Sequence, residues 1–299
     1  MKLGLGTVQF GLDYGISNLS GQTHADEVAK ILGIAANSGI TVLDTASQYG
    51  ESEQILGNCL AVIHHHFSFV TKIPGFSDET ISEKQCVLLR NAFHQSLRKL
   101  KQSSVYGLLM HNADDLLKPG GERLWETLVA LKQVGLVSKL GVSVYSANQI
   151  DRLLECYALD LVQLPINVFD QRLLVGGQLE ALKNAGVEIH ARSVFLQGLM
   201  LMQADTIPAY FLPIQKQINC YQHTLQKYGM SLLEGALGFI QQVNEIDVVL
   251  CGVNNANQLQ NIIKVINVNS NAKEIAYETF AINQDAYVNP SLWLTDRTF

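Results

Sequence analysis

Four polar residues in the first 111 positions of the chain stand where short apolar runs end. Asp44 and Tyr49 lie in Asp44-Thr45-Ala46-Ser47-Gln48-Tyr49-Gly50, Lys72 closes Val70-Thr71-Lys72, and His111 closes Leu109-Met110-His111. Their types suit proton transfer. A phenol with an ordinary pKa of ~10 is a poor acid at neutral pH. A nearby ammonium favours the phenolate and is expected to lower that pKa toward the working range. The ammonium needs a counter-ion in a partly buried site, which a carboxylate supplies, and the imidazole can hydrogen-bond a substrate oxygen and orient a carbonyl. Gathered at one place, the set protonates a developing alkoxide. Singly, each has a plainer reading: Asp44 as a helix cap, Lys72 as a solvated strand end, His111 as a hydrogen-bonded core histidine. Asp44, however, lies several residues before the helix it would cap, and all four types occur together.

The elements that must position them follow a regular rhythm of short apolar runs and longer amphipathic ones, the signal of parallel β/α units. Strands are read at 2–7, 41–46, 67–73, 105–111, 139–144, 161–167, 187–194 and 248–253. Helices are read at 25–38, 51–62, 83–100, 122–134, 147–156, 179–185, 232–243 and 257–266. Eight strands, each followed by a helix, predict an α/β protein with a closed (β/α)8 TIM barrel, a single domain over 1–299. A doubly wound sheet is the competitor, but the turn after its first strand carries G-x-G-x-x-G. Gly4-Leu5-Gly6-Thr7-Val8-Gln9-Phe10-Gly11 has the wrong spacing. Barrel geometry brings the C-terminal strand ends to one mouth, so Asp44, Tyr49, Lys72 and His111 should converge. A loop insertion at about 199–229 and a C-terminal tail at about 269–299 break the rhythm. Ligand specificity is expected there, including the segment from Tyr287 to Trp293, and in the loop after the first strand.

Composition narrows the partners. With 47% hydrophobic and 16% charged residues, the 299-residue chain has an apolar fraction ordinary for a folded enzyme and too high for a disordered segment. Its 21 Lys and Arg against 27 Asp and Glu leave a net charge of −6, which argues against nucleic acid or an anionic membrane as the main partner. No apolar run approaches the ~18 residues of a membrane span. Met1-Lys2-Leu3 leads straight into a strand, so a cytoplasmic location is expected. The odd set Cys59, Cys86, Cys156, Cys220 and Cys251 is read as reduced thiols in mostly apolar surroundings, with Cys251 in the core. His64-His65-His66 is read as a loop at the barrel bottom, because consecutive side chains rarely meet one ion; no metal is expected. Tyr14 either lines the mouth or packs under the tail.

On these residues the chain resembles the aldo-keto reductases over essentially its whole length. The resemblance rests on Leu3-Gly4-Leu5-Gly6-Thr7, on Asp44 with Tyr49-Gly50-Glu51-Ser52-Glu53, and on Lys72 and His111. Gly141-Val142-Ser143, Val162-Gln163 and Ala191-Arg192-Ser193 extend it. What it implies is hydride transfer between a nicotinamide nucleotide and the carbonyl of an aldehyde, ketone or sugar. Tyr49 would be the proton donor, Lys72 and Asp44 would tune it, and His111 would orient the substrate. The nucleotide would lie against Gly6 and Thr7, with Ser143 and Gln163 on its carboxamide. Arg192 would stack on its ring, Ser193 to Gly198 would wrap its pyrophosphate, and Gly252, Asn254 and Gln258 would meet its adenosine end. Two features depart from the family pattern: Val144 stands where Asn is usual, and 252–258 lacks the cation commonly set against the 2′-phosphate. The N-terminus of the last helix is expected to offer its N–H groups to a phosphate instead. NADP (as NADPH) is the cofactor the family implies, NAD is the competitor, and weak discrimination is expected. The alternative function is a barrel that senses nicotinamide nucleotide as a regulatory subunit with little turnover. A complete set of four argues for turnover, and the fold accommodates a monomer or a homodimer.

Overall fold

Period-two alternation on eight short strands decides the architecture. In a computed structural model describing residues 1–61, 63, 65–268 and 275–293, the strands close into one parallel barrel in chain order. They are β1 (Lys2–Gly6), β2 (Val42–Asp44), β3 (Ser68–Ile73), β4 (Val105–Met110), β5 (Val137–Ser143), β6 (Leu161–Pro165), β7 (Glu188–Arg192) and β8 (Val248–Gly252). Closure is made by β1 and β8, which pair from Lys2 opposite Val248 to Gly6 opposite Gly252. The α-helices are α1 (Val8–Gly11), α2 (Ala25–Asn37), α3 (Ser52–Cys59), α4 (Glu83–Leu100), α5 (Gly121–Gln133), α6 (Ala147–Cys156), α7 (Arg172–Val175), α8 (Gln178–Asn184), α9 (Gln215–Lys227), α10 (Leu232–Ile240), α11 (Ala256–Asn267) and α12 (Asp285–Val288). None of the described helices is long and apolar enough to cross a membrane.

Inward positions form layers. Val42, Val70, Leu109, Leu161, Val248 and Leu250 fill the middle of the barrel, with Tyr106 beside them. Their outward neighbours, such as Leu43, Phe69, Leu108 and Val249, pack under the helices in the main core. Below the apolar layer Glu188 accepts hydrogen bonds from Tyr106, at 2.6 Å, and from Lys139, and meets His190 at 2.7 Å. Burial opposes the charge on Glu188, yet these bonds hold its carboxyl down at about 2.

Several strands are shorter than the sequence suggests, because their last residues already turn into mouth loops. The run read as 161–167 ends at Pro165, and 187–194 is ordered as strand only over Glu188–Arg192. The short α1 and α7 carry too few turns for helical periodicity to register. The insertion is not structureless, since it contains α9. Cys86 and Cys251 are buried, and burial pushes the Cys251 thiol up to about 12. Cys156 and Cys220 are exposed, against expectation, on outer helix faces. Val62 of the helix read at 51–62, His64 of the histidine run, and 269–274 and 294–299 of the tail lie outside the described residues.

Candidate active site

Each of five strands carries one more inward position above the apolar layer, two residues beyond it. That step takes Val42 to Asp44, Val70 to Lys72, Leu109 to His111, Leu161 to Gln163 and Leu250 to Gly252. Strand alternation alone therefore aims the chemistry into the mouth. Lys72, only 1% exposed, donates to both carboxylate oxygens of Asp44 at 2.8 Å and to the Thr45 carbonyl at 2.8 Å. Its Nζ lies 3.5 Å from the Tyr49 hydroxyl and 5.0 Å from that ring's centre. His111 meets the Tyr49 ring edge-on at 5.9 Å. The four residues converge.

Their protonation differs from the sequence expectation in one respect. Burial, and then the Asp44 carboxylate, raise the Tyr49 phenol above its ordinary value of 10.0, while Arg192 opposes this weakly. Lys72 does not bring it toward neutrality, because its charge is already taken up by Asp44. Burial pulls Lys72 itself below its usual range, with Asp44 opposing. Burial and the nearby cations Lys72 and Arg192 lower His111 to about 3, so its ring is neutral at neutral pH. Its Nδ1 is buried with no hydrogen-bond partner among the described residues.

The Tyr49 segment is braced from below. Thr7 donates to the Asp44 carbonyl at 2.8 Å, and Ser52, its hydroxyl 2.9 Å from that of Thr7, donates to the Thr7 carbonyl at 2.9 Å. Thr71 donates to Glu53 at 2.8 Å. Two glycines let α1 touch this loop: Gly50 has φ of +54°, and a Cβ on it would run into the Gly11 carbonyl. A Cβ on Gly11 would run into the Tyr49 carbonyl. Gly11→Ala should cost about 1–3 kcal/mol of stability through overpacking and should lower turnover by shifting Tyr49. Urea unfolding and steady-state rates measured side by side check this; unchanged values for both would show that the contact is not needed.

From Tyr49 a cavity of about 600 Å³ runs between the loops after β1 and β7 to the side of α11. Gly6, Thr7, Ser143, Arg192, Ser193, Gly198, Gly252, Asn254 and Gln258 all line it. Thr7 is fully buried and offers it little beyond backbone. Arg192 lies over the Tyr145 ring at 4.1 Å and donates to the Val144 carbonyl at 3.0 Å, so the residue in place of the family's Asn is used through its backbone. The β7 loop is wound left-handed at Ser193 (φ 58°), Leu196 (φ 47°), Gln197 (φ 53°) and Gly198 (φ 94°). Such conformations cost about 1–3 kcal/mol at non-glycine positions and cluster at ligand clamps. Asn167 ties the loop down by donating to the Ser193 carbonyl at 3.1 Å. Ile16 N–H donates to the Gln197 carbonyl at 3.1 Å, which joins the β1 and β7 loops over the cavity.

Three sequence expectations are corrected here. Gln163 does not line the cavity: its amide donates to Asp44 at 2.6 Å, its oxygen is buried, and its position holds Asp44 from beneath. The tail around Tyr287 to Trp293 does not line it either, since Trp293 packs on Phe211 and Tyr287 on Tyr210. The N-terminus of α11 commits three nearby N–H groups to the protein itself. Ala256 N–H donates to Glu27 at 2.8 Å, Gln258 N–H to Asn255 at 3.0 Å, and Asn254 N–H to the Gln258 side chain at 2.7 Å. Tyr14 lines the mouth rather than packing under the tail, and Leu201 and Gln203 bring the insertion to the cavity.

A (β/α)8 barrel with a tyrosine, lysine, aspartate and histidine gathered at its C-terminal mouth has the form of a carbonyl-handling oxidoreductase. The chain belongs to the Aldo/keto reductase family, whose model matches residues 2–279. That family acts on small carbonyl compounds and generally uses NAD(P)H. The chain is 22% identical to the aldo-keto reductase YhdN of Bacillus subtilis, across 91% of its own length and 87% of that protein's. It is 21% identical to an NADH-specific methylglyoxal reductase of Escherichia coli, across 79% of its length and 81% of that protein's. Among solved structures, the holo form of an aldo-keto reductase from Bacillus halodurans superposes with a TM-score of 0.74 at 18% identity, covering 95% of this chain and 93% of that one.

Proposed function

We propose that this protein reduces the carbonyl of an aldehyde, ketone or sugar to the alcohol, or runs the reverse reaction, with a nicotinamide nucleotide as hydride carrier and Tyr49 as the general acid. The observation that carries this reading is the Tyr49 hydroxyl at the cavity floor, 3.5 Å from an ammonium that Asp44 fixes in place. A nicotinamide dinucleotide fits the residues present. The cavity reaches from Tyr49 to α11, and the buried His111 Nδ1 and Arg192 Nε on its lining residues lack hydrogen-bond partners among the described residues. Ser143 and Arg192 would hold the reacting end, the left-handed turn from Ser193 to Gly198 would enclose the middle, and Asn254 and Gln258 would face the far end.

The bound reduced nucleotide would supply the hydride that reaches the carbonyl carbon. The chain's own groups handle the proton. Neutral His111 orients the carbonyl oxygen by hydrogen bonding. Tyr49 gives its proton to that oxygen as negative charge develops, and the phenolate left behind faces Lys72 Nζ at 3.5 Å, whose charge is shared with Asp44. A phenol held above its ordinary value keeps its proton throughout the neutral range, which is the form an acid must have.

The pH dependence follows from these directions. Tyr49 is active when protonated, so raising its pKa extends the active range upward. His111 is active when neutral, so lowering its pKa extends that range downward. The kcat/KM for carbonyl reduction should therefore stay flat between about pH 5 and pH 9. A limb near pH 7 in that profile would contradict the assignment.

The reaction itself is tested by mixing the purified protein with NADH or NADPH and a panel of aldehydes, ketones and sugars, and following loss of nucleotide absorbance. Turnover is expected. Tight nucleotide binding without turnover across the panel would favour the nucleotide-sensing alternative, and absence of binding would overturn both.

A further inference from the structure

The His111 ring has little of its own to hold it. Its Nδ1 is buried with no hydrogen-bond partner among the described residues, and the ring meets Tyr49 edge-on at 5.9 Å. A ring held in this way points where its backbone and its packing aim it. That backbone is fixed by a clamp between the loops that follow β3 and β4. His111 N–H donates to the Ile73 carbonyl at 3.1 Å. Just beyond, on a 3₁₀ turn at Ala113–Leu117, the fully buried Asp115 collects three donors. Phe76 N–H reaches its carboxylate at 2.9 Å, the Asn112 amide at 3.1 Å and Lys118 Nζ at 2.7 Å. Lys118 also donates to the Phe76 carbonyl at 2.6 Å, so both backbone groups of Phe76 are bound to the β4 loop. Gly75 lets the two loops close, since a Cβ on it would lie 2.9 Å from the Cβ of Asn112.

None of Phe76, Asn112, Asp115 and Lys118 lines the cavity. Lys72 and His111 nevertheless each stand four residues before one end of the clamp, Lys72 before Phe76 and His111 before Asp115. A buried carboxylate persists only where its bonds offset the loss of solvation. Here those bonds join the two strand ends that carry an ammonium and an imidazole of the site.

We propose that Asp115 is a positioning residue: by locking the β3 loop to the β4 loop it fixes the aim of the His111 ring at the substrate carbonyl and keeps water from that ring. This rests on the carbonyl-reducing reading given above.

The groups that face His111 are the Lys72 ammonium on β3, the Arg192 guanidinium on β7 and the Tyr49 ring from the loop after β2. Burial, and then the two cations, disfavour its imidazolium and hold it at about 3. The charge of Asp115 is matched by Lys118. Loosening the clamp admits water and so weakens burial, the largest of these influences. The His111 pKa then climbs toward its ordinary value of 6.5. His111 acts when neutral, so the climb removes activity on the acid side and leaves the alkaline side unchanged.

The test compares Asp115→Ala with Asp115→Asn, which can still accept from Phe76 N–H; thermal melts check that each is folded. At pH 7, kcat should fall by about tenfold in Asp115→Ala, and the Asn variant should recover most of it. Dissociation constants for NADH and NADPH should move by less than about twofold, because the clamp lies off the cavity lining. The kcat/KM profile of Asp115→Ala should gain an acid limb between about pH 5 and pH 6.5, where the wild type stays flat. NMR of the His111 ring, assigned by its loss in His111→Asn, follows the same titration without turnover. Gly75→Ala spreads the two loops by contact, leaves every charge in place, and should produce the same limb even if Asp115→Ala does not fold. Wild-type kcat with a profile flat down to about pH 5, in whichever of the two variants is folded, overturns the proposal. A wild type that reduces no carbonyl in the panel overturns the carbonyl-reducing reading instead. The ring titration then decides alone: a His111 signal that titrates in the variants as in the wild type overturns the role of Asp115, and one that moves toward neutral pH supports it.

Discussion

Tyr49→Phe should reduce carbonyl turnover by about 10²-fold or more, in line with general-acid contributions of roughly 10²–10⁴. Nucleotide affinity should stay within a few-fold of the wild type. The change removes one oxygen and leaves the ring that packs edge-on against His111. It also strands little, because Lys72 already has Asp44 and the Thr45 carbonyl as close partners. Stability should therefore hardly move, which separates a chemical loss from a folding loss. Steady-state rates and dissociation constants on the same preparation decide the matter. Reduction at the wild-type rate would mean that another group delivers the proton.

Lys72→Met should abolish most activity and also destabilise the fold by about 3–5 kcal/mol, since it leaves a buried carboxylate without its counter-charge. The Asp44 carboxylate would keep the 2.6 Å bond from Gln163. Pairing the change with Asp44→Asn removes the stranded charge, so the double variant should regain most of the lost stability and none of the activity. Urea unfolding of the two single variants and the double one gives the coupling directly. Strictly additive stability effects would show that the two side chains act independently.

Much of this site is legible in the sequence because it follows from alternation along strands. Asp44, Lys72 and His111 each sit two residues past an inward-facing apolar residue, and Tyr49 follows Asp44 within one short loop. Such relations are local and leave a pattern. Glu27 and Ala256 are 229 positions apart, and Gln163 and Asp44 are 119 apart; these meetings depend on helix packing and on rotamers across the barrel. No spacing announces them. The direction of the Tyr49 shift is hidden for a related reason. An adjacent ammonium suggests a more acidic phenol, but the outcome depends on burial and on how completely Asp44 has claimed that ammonium. The exposed Cys156 and Cys220 show the same limit, since an apolar neighbourhood in sequence does not say which face of a helix a residue takes.

Barrel closure through β1 and β8 bears on how the molecule is assembled. Asp44, Tyr49, Lys72 and His111 are synthesised early, yet the wall that seals them needs strand residues 248–252. Until those arrive, β1 is an unpaired sheet edge open to other chains. The Lys72–Asp44 pair, meanwhile, remains accessible to water. Pairing ends so distant in sequence gives a high contact order, which slows folding and lengthens the life of partly formed states. The residues made first thus become a working site last, when the final strand docks.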